Sequence, residues 1–220
     1  NGMEQEEALY KVLKETIIAS KNIRFEGDGY SEEWKKEAEG RGLTNICHVP
    51  EAIMRFNDPQ SRSVLIGEKV FNENELNCRI EVELEKYTKK IQIESRVLGD
   101  MAINHIVPTA VIYQNRLLEN LRGLRETFST EEYEYLGAER RELVKEIQLH
   151  TMEIKKLVRE MTNARHIANR LSSQVEKAYS YQDSVSPYME KIREHIDDLE
   201  MEIDDEIWPL PKYRELLFTK

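Results

Sequence analysis

Apolar residues recur at helical spacing along most of this chain, and this spacing predicts long amphipathic helices. Near the N-terminus, Leu9, Val12, Leu13 and Ile17 fall on one face of a helix predicted over residues 4–20. A much longer helix is predicted from Asn72, with these apolar positions: Leu76, Ile80, Leu84, Tyr87, Ile91, Leu98 and Met101. The helix is expected to be interrupted or kinked near Pro108.

Beyond Pro108, the pattern resumes and then becomes a heptad repeat. The resumed helix is predicted to end at Gly123, and its apolar residues are Val111, Leu117, Leu118 and Leu121. The heptad positions are Leu143, Ile147, His150, Ile154, Leu157, Met161, Ala164, Ala168 and Leu171, followed in the last helix by Val185, Met189, Ile192, Ile196, Leu199 and Ile203. No strand-like alternation lasts long enough to build a sheet, so the predicted fold is all-α.

Short connections between these helices predict an up-down bundle, because neighbours joined by short loops run antiparallel. The chain is predicted to divide into a segment of short helices and turns over residues 1–71, a long-helix bundle over 72–207 and an extended docking tail over 208–220. Ser186-Pro187 either opens the last long helix or marks a bend within it. Pro209 disfavours helix at Trp208, so that helix is expected to end near Ile207.

The composition excludes several classes of protein. Of the 220 residues, 40 % are hydrophobic and 34 % are charged, and the net charge of −10 argues against a nucleic-acid partner, which would need a basic face. No apolar run approaches the length of a membrane helix. Because the two cysteines form no disulfide or zinc pattern and no signal peptide is evident, the cytoplasm is the predicted location. The opening Asn1-Gly2-Met3 suggests a piece of a longer protein.

Candidate metal chemistry is sparse in the sequence. Di-metal sites in helical bundles use Glu-x-x-His motifs, and none of the five histidines has a carboxylate three residues before it. His150 lies in the heptad repeat, where a core histidine is favoured over a ligand or base. His195 lies among carboxylates that suggest either a hard-metal site or a solvated acidic face, and the latter is favoured because they spread around the helix.

Three long segments carry a resemblance to a known family. They are GDGYSEEWKKEAEGRGL (27–43), NHIVPTAVIYQNRLLENLRGL (104–124) and HIDDLEMEIDDEIWPLPKYRELLF (195–218). In order and spacing they resemble the C-terminal region of type III glutamine synthetases, a large bacterial class, along essentially the whole chain. Such enzymes join ammonia to glutamate with ATP and Mg²⁺ or Mn²⁺, and they assemble as stacked hexameric rings.

The resemblance implies that the active-site groups lie upstream of this region. No catalytic, cofactor-binding or metal-binding residue is therefore assigned to this chain, which is expected to be inactive by itself. Its expected partners are the catalytic core of the same enzyme and neighbouring subunits. Composition and periodicity alone also allow a free-standing cytosolic scaffold module, and a helical metalloenzyme is a further alternative.

The C-terminal tail is the predicted docking segment. Pro209 and Pro211 stiffen it, which lowers the entropy lost when it docks. The side chains expected to pack are Trp208, Leu210, Tyr213, Leu216, Leu217 and Phe218. Their surface is either the bundle of the same chain or a partner, and the sequence leaves both open.

Overall fold

A computed structural model describes residues 5–217, except for the side chains of Tyr213 and Arg214. Its helices are α1 (Gln5–Ala19), α2 (Glu32–Gly40), α3 (Val49–Met54), α4 (Pro59–Gly67), α5 (Glu73–Met101), α6 (Val107–Thr127), α7 (Thr130–Leu136), α8 (Ala138–Asn169), α9 (Gln174–Ser180), α10 (Ser186–Glu202) and α11 (Tyr213–Leu216). Residues 5–217 contain no strand, which confirms the all-α prediction. None of the helices in this range combines the length and apolar character needed to cross a bilayer.

The chain forms two compact units, Asn1–Ala52 and Ile53–Lys220. In the first unit, the rings of Phe25 and Trp34 stack with their centroids 4.5 Å apart, and the guanidinium of Arg41 lies 5.6 Å from the Trp34 ring centroid. Ser31 caps α2 by accepting a hydrogen bond from the Trp34 amide at 3.1 Å. The domain boundary predicted between residues 71 and 72 stays a prediction.

The second unit contains the long helices and two hydrophobic clusters. The larger cluster lies among α5, α6, α8 and α10, and the heptad residues Ile147, Ile154 and Leu199 are fully buried in it. The smaller cluster lies around Leu76 and Leu84 of α5, where Ala178 of α9 is also buried and side chains of α4 pack against them. α5 begins next to Asn72, as predicted, at a capping box in which Asn72 and Glu75 each accept a hydrogen bond from the other's backbone amide.

Two π-helical segments, Ala102–Ile106 and Tyr181–Val185, interrupt the long helices. In the first, the amide of Val107 donates to the carbonyl of Ala102, and in the second, the amide of Ser186 donates to that of Tyr181. Each donor immediately precedes a proline, Pro108 or Pro187. Because a proline ring clashes with the carbonyl four residues earlier in an α-helix, we infer that the wider turn accommodates it. Ser186-Pro187 therefore marks an irregularity within a helix that begins at Gln174.

Two predicted helix ends are wrong. α6 continues through Gly123 to Thr127, where Thr127 Oγ1 donates to the Gly123 carbonyl at 2.7 Å. α10 ends at Glu202 instead of near Ile207, because Ile203 is already extended, with φ −83° and ψ 140°. The proline at position 209 lies too far along the chain to set this end.

Candidate functional site

The first part of the C-terminal tail packs against its own bundle. The chain turns after α10, with the amides of Ile207 and Trp208 each 3.1 Å from the carbonyl oxygen of Asp204. This turn places Trp208 in the larger hydrophobic cluster, where it is 7 % exposed, and Leu210 packs against the same cluster. Of the two surfaces that the sequence left open, the bundle of the same chain therefore holds Trp208 and Leu210.

Lys212 fastens this part of the tail to the end of α10. Its ammonium Nζ donates to the carbonyl oxygens of Glu200 at 2.6 Å and Ile203 at 3.0 Å. It also lies 2.6 Å from Asp205 Oδ1 and 5.9 Å from the Trp208 ring centroid, and its side chain is only 15 % exposed. The last carbonyls of a helix lack intrahelical partners, so a cation at this position satisfies them and complements the helix dipole.

We expect the substitution Lys212→Met to lower the free energy of unfolding by about 2 kcal/mol, since it removes the charge-assisted hydrogen bonds but keeps most of the aliphatic stem. Urea denaturation followed by circular dichroism measures this change. Lys191→Met is the matched control, because Lys191 is an exposed residue of α10. Equal losses in the two variants would contradict the assigned role of Lys212.

The second part of the tail presents apolar side chains to solvent. Leu216 is 67 % exposed and Leu217 is 62 % exposed. The side chain of Tyr213 and all of Phe218 lie outside the described residues. Docking of these four residues on a partner therefore stays a prediction.

Two histidines that are 45 residues apart in sequence meet between α8 and α10. His150 Nδ1 lies 3.1 Å from His195 Nδ1, within hydrogen-bond distance, and 3.8 Å from Asp198 Oδ2. The side chain of His150 is 19 % exposed and that of Asp198 is 62 % exposed. Within residues 5–217, this group is the one cluster of three or more His, Cys, Asp or Glu side chains whose ligand atoms converge, all within 4.8 Å of one another.

Glu202 interacts with the carboxyl groups of Glu146 and of Asp198, and Asp198 lies beside His150. Burial raises the pKa of Glu202 above its usual range, and the negative charges of Glu146 and Asp198 add to the effect. The Oε2 atom of Glu202 is buried without a hydrogen-bond partner among the described residues. The α8–α10 interface therefore carries concentrated negative charge.

Helix α1 exposes an apolar surface in the first unit. On the predicted apolar face, Leu13 and Ile17 are 51 % and 50 % exposed, and Leu9 and Val12 are 58 % and 59 % exposed. No residue of α1 is buried. An amphipathic helix ordinarily buries its apolar stripe, so this face lacks the cover that the pattern predicts.

The profile of the "Glutamine synthetase C-terminal domain" family matches residues 8–125, which is more than half of the chain. The chain belongs to this family. The matched range begins in α1 and ends in α6, so it includes the exposed face of α1.

Three glutamine synthetases are similar to this C-terminal domain along nearly its whole length. The chain is 68 % identical to "Glutamine synthetase" of Bacteroides fragilis (strain YCH46) over 219 residues, which are 100 % of the chain and 30 % of that protein. It is 29 % identical to "Type-3 glutamine synthetase" of Dictyostelium discoideum (97 % of the chain, 29 % of that protein) and 27 % identical to "Glutamine synthetase" of Butyrivibrio fibrisolvens (100 % and 31 %). The chain thus spans about 30 % of the length of these relatives.

Sequence reasoning considered the two histidines of this glutamine synthetase C-terminal domain separately and did not bring them together. A signal was nevertheless available. α8 and the α9–α10 segment flank the short connection 170–173, so they form an antiparallel hairpin. His150 lies 20 residues before Arg170 and His195 lies 22 residues after Ser173, which places them opposite each other.

Proposed function

We propose that this chain is the C-terminal helical region of a type III glutamine synthetase and that it supports assembly of the enzyme. The observation that carries the proposal is the alignment of nearly the whole chain with about 30 % of three glutamine synthetases, one of them named type 3. The remaining part of such an enzyme would ligate ammonia to glutamate in the cytoplasm with ATP and Mg²⁺ or Mn²⁺. We assign no catalytic residue to this chain.

The distribution of side chains supports a role in assembly. In the second unit, the apolar heptad residues of α8 and α10 pack in the bundle, and this leaves them unavailable for a substrate site. In the first unit, the apolar face of α1 remains half-exposed. A helix of 15 residues has little stability by itself in water and normally depends on packing of its apolar face.

We therefore assign the face formed by Leu9, Val12, Leu13 and Ile17 to contact with the catalytic part of the same enzyme or with a neighbouring subunit. The relatives are long enough to supply such a surface, since about 70 % of each lies outside the matched region. In a ring-forming homo-oligomer, Leu216 and Leu217 of the tail would provide a second contact of the same kind.

We expect Leu13→Glu to weaken assembly of the full-length enzyme, because it places a charge in the centre of the docked face. Size-exclusion chromatography with light scattering measures the assembly state, and glutamine formation measures the activity. The melting temperature of the 220-residue chain alone should be unchanged, since Leu13 is 51 % exposed in it.

Lys14→Glu serves as the matched control, because Lys14 is the exposed neighbour of Leu13 on the same helix. It introduces the same side chain beside the apolar face and should leave assembly intact. If Leu13→Glu also assembles and functions like the parent enzyme, α1 does not provide the contact.

A further inference from the structure

We propose that His150, His195 and Asp198 form a binding site for one divalent transition-metal ion, with Zn²⁺ as the best match. The site joins α8 to α10 inside the helical hairpin. It does not depend on the proposed function, because its ligands all belong to the second unit of this chain. It departs from the expectation that this chain holds no metal.

The backbone already places the three ligands on facing surfaces. His195 and Asp198 are three residues apart on α10, so they project from the same face of that helix. His150 faces them from α8. The ligand set is thus held by two helices, whose neighbouring residues Ile147, Ile196 and Leu199 are buried in the core.

The distances agree with tetrahedral coordination. Two imidazole nitrogens bound to one Zn²⁺ at about 2.0–2.1 Å lie about 3.3 Å apart when the angle is tetrahedral. The Nδ1 atoms of His150 and His195 are 3.1 Å apart. Asp198 Oδ2 is 3.8 Å from His150 Nδ1, and the three ligand atoms all lie within 4.8 Å of one another, so a rotation of the exposed Asp198 side chain towards the two histidines completes the site.

The chemistry of the ligands selects the class of ion. Mg²⁺ and Ca²⁺ prefer oxygen ligands, whereas two imidazoles and a carboxylate suit Zn²⁺ and other late first-row divalent ions. Glu146 lies one helical turn before His150, and Glu202 lies one turn after Asp198. These carboxyl groups lower the electrostatic cost of placing a divalent cation at the interface.

The site is open to solvent on one side. Asp198 is 62 % exposed, which gives an ion a route of entry and leaves a coordination position for water. An ion bound here replaces the direct hydrogen bond between His150 and His195 and links two positions 45 residues apart. It therefore stabilises the hairpin against opening.

Isothermal titration of the 220-residue chain with ZnCl₂ tests the proposal. Because the thiols of Cys47 and Cys78 are exposed and can bind zinc, both are replaced by serine, and the chain is freed of metal with EDTA. We expect one Zn²⁺ per chain, a rise in melting temperature with added Zn²⁺, and no binding of Mg²⁺ under the same conditions.

Removal of one ligand should then weaken binding. We expect His195→Ala and Asp198→Asn each to raise the dissociation constant for Zn²⁺ by about 100-fold or more, and to abolish the zinc-dependent rise in melting temperature. His166→Ala is the matched control, because His166 is an exposed histidine of α8, outside the cluster, and its loss should change neither quantity.

Asp198→Asn keeps the test decisive if His195→Ala fails to fold, since Asp198 is mostly exposed and asparagine is nearly isosteric with it. Circular dichroism establishes that the variant is folded. The proposal is overturned if the metal-free chain takes up no stoichiometric Zn²⁺. It is also overturned if the folded Asp198→Asn variant binds Zn²⁺ as tightly as the parent.

Discussion

Replacing Trp208 with alanine should lower the free energy of unfolding of the second unit by about 3–5 kcal/mol. The indole is 7 % exposed and belongs to the larger hydrophobic cluster, so its removal leaves a cavity between the tail and the bundle. Its buried Nε1–H has no hydrogen-bond partner among the described residues, and the expected loss is therefore one of packing. Urea denaturation followed by circular dichroism measures the difference.

The control for this substitution comes from the same tail. Leu216 is 67 % exposed, and Leu216→Ala should change the free energy of unfolding by less than about 0.5 kcal/mol in the isolated chain. A Trp208→Ala variant as stable as the parent would show that the tail does not hold the bundle together. Equal losses in both variants would contradict the conclusion that the tail packs on the bundle before Lys212 and is exposed after it.

A loss of similar size is expected for Tyr181→Ala, about 3–5 kcal/mol. Tyr181 begins the second π segment and is fully buried, and its hydroxyl donates a hydrogen bond to Asn169 Oδ1 at 2.8 Å. The substitution removes the ring from the core and leaves Asn169, at the end of α8, without this partner. Thermal and urea denaturation measure the loss.

Two further variants test which part of Tyr181 contributes the stability. One removes only the hydroxyl, and the other removes an exposed tyrosine as a control. Tyr181→Phe keeps the packing and removes only the hydrogen bond, so it should cost about 1 kcal/mol. Tyr135→Ala removes a tyrosine that is 84 % exposed in α7 and should be nearly neutral. If Tyr181→Phe is as damaging as Tyr181→Ala, the hydroxyl contributes more than the ring.

The free energy of unfolding should fall less at alkaline pH in the Tyr181→Phe variant than in the parent chain. Burial raises the pKa of Tyr181 above its ordinary value of 10.0, although the guanidinium groups of Arg165 and Arg96 act in the opposite direction. Between the unfolded and the folded pKa, the folded chain binds more protons, so this contribution to stability is lost as pH rises above about 10. A phenylalanine side chain cannot ionise, and the Tyr181→Phe variant should lack this part of the alkaline loss of stability.

The buried residues of α8 and α10 were predictable from the sequence, because their burial follows the heptad repeat. Ile147, Ile154 and Met161 in α8 and Ile192 and Leu199 in α10 are buried as the heptad pattern predicts. The two capping boxes, at Asn72 and at Ser129, are local in the same way, since in each a glutamate follows the N-cap residue by three positions. These features depend on residues within a few positions of one another, so a local pattern contains all the information needed.

Within α6, the pattern was correct only in part. Leu121 is buried and Leu117 packs on the larger cluster, as predicted, whereas Val111 and Leu118 are 39 % and 44 % exposed. Val107 and Ala110, which were outside the predicted set, are buried. A π segment adds one residue to the helix and rotates the face that follows, and apolar periodicity alone does not locate the added residue. The kink expected near Pro108 located the irregularity in the helix but did not predict that the buried face would rotate after it.

Contacts between distant residues account for two further differences. Lys212 bonds to the last carbonyls of α10 from outside the helix, so no signal within α10 predicts its end at Glu202. The contact between His150 and His195 likewise depends on the pairing of two helices across the hairpin. Sequence reasoning placed both histidines on helices and assigned neither to a site.

The prolines that follow the π segments have a consequence for the evolution of the chain. Deleting one residue from Ala102–Ile106 or from Tyr181–Val185 would restore regular α-helix and return Pro108 or Pro187 to a turn that it cannot occupy. The length of each helix before its proline is therefore tied to the presence of that proline. Homologues that lack either proline are free to lose the extra residue, and those that keep it are expected to conserve the helix length at that position.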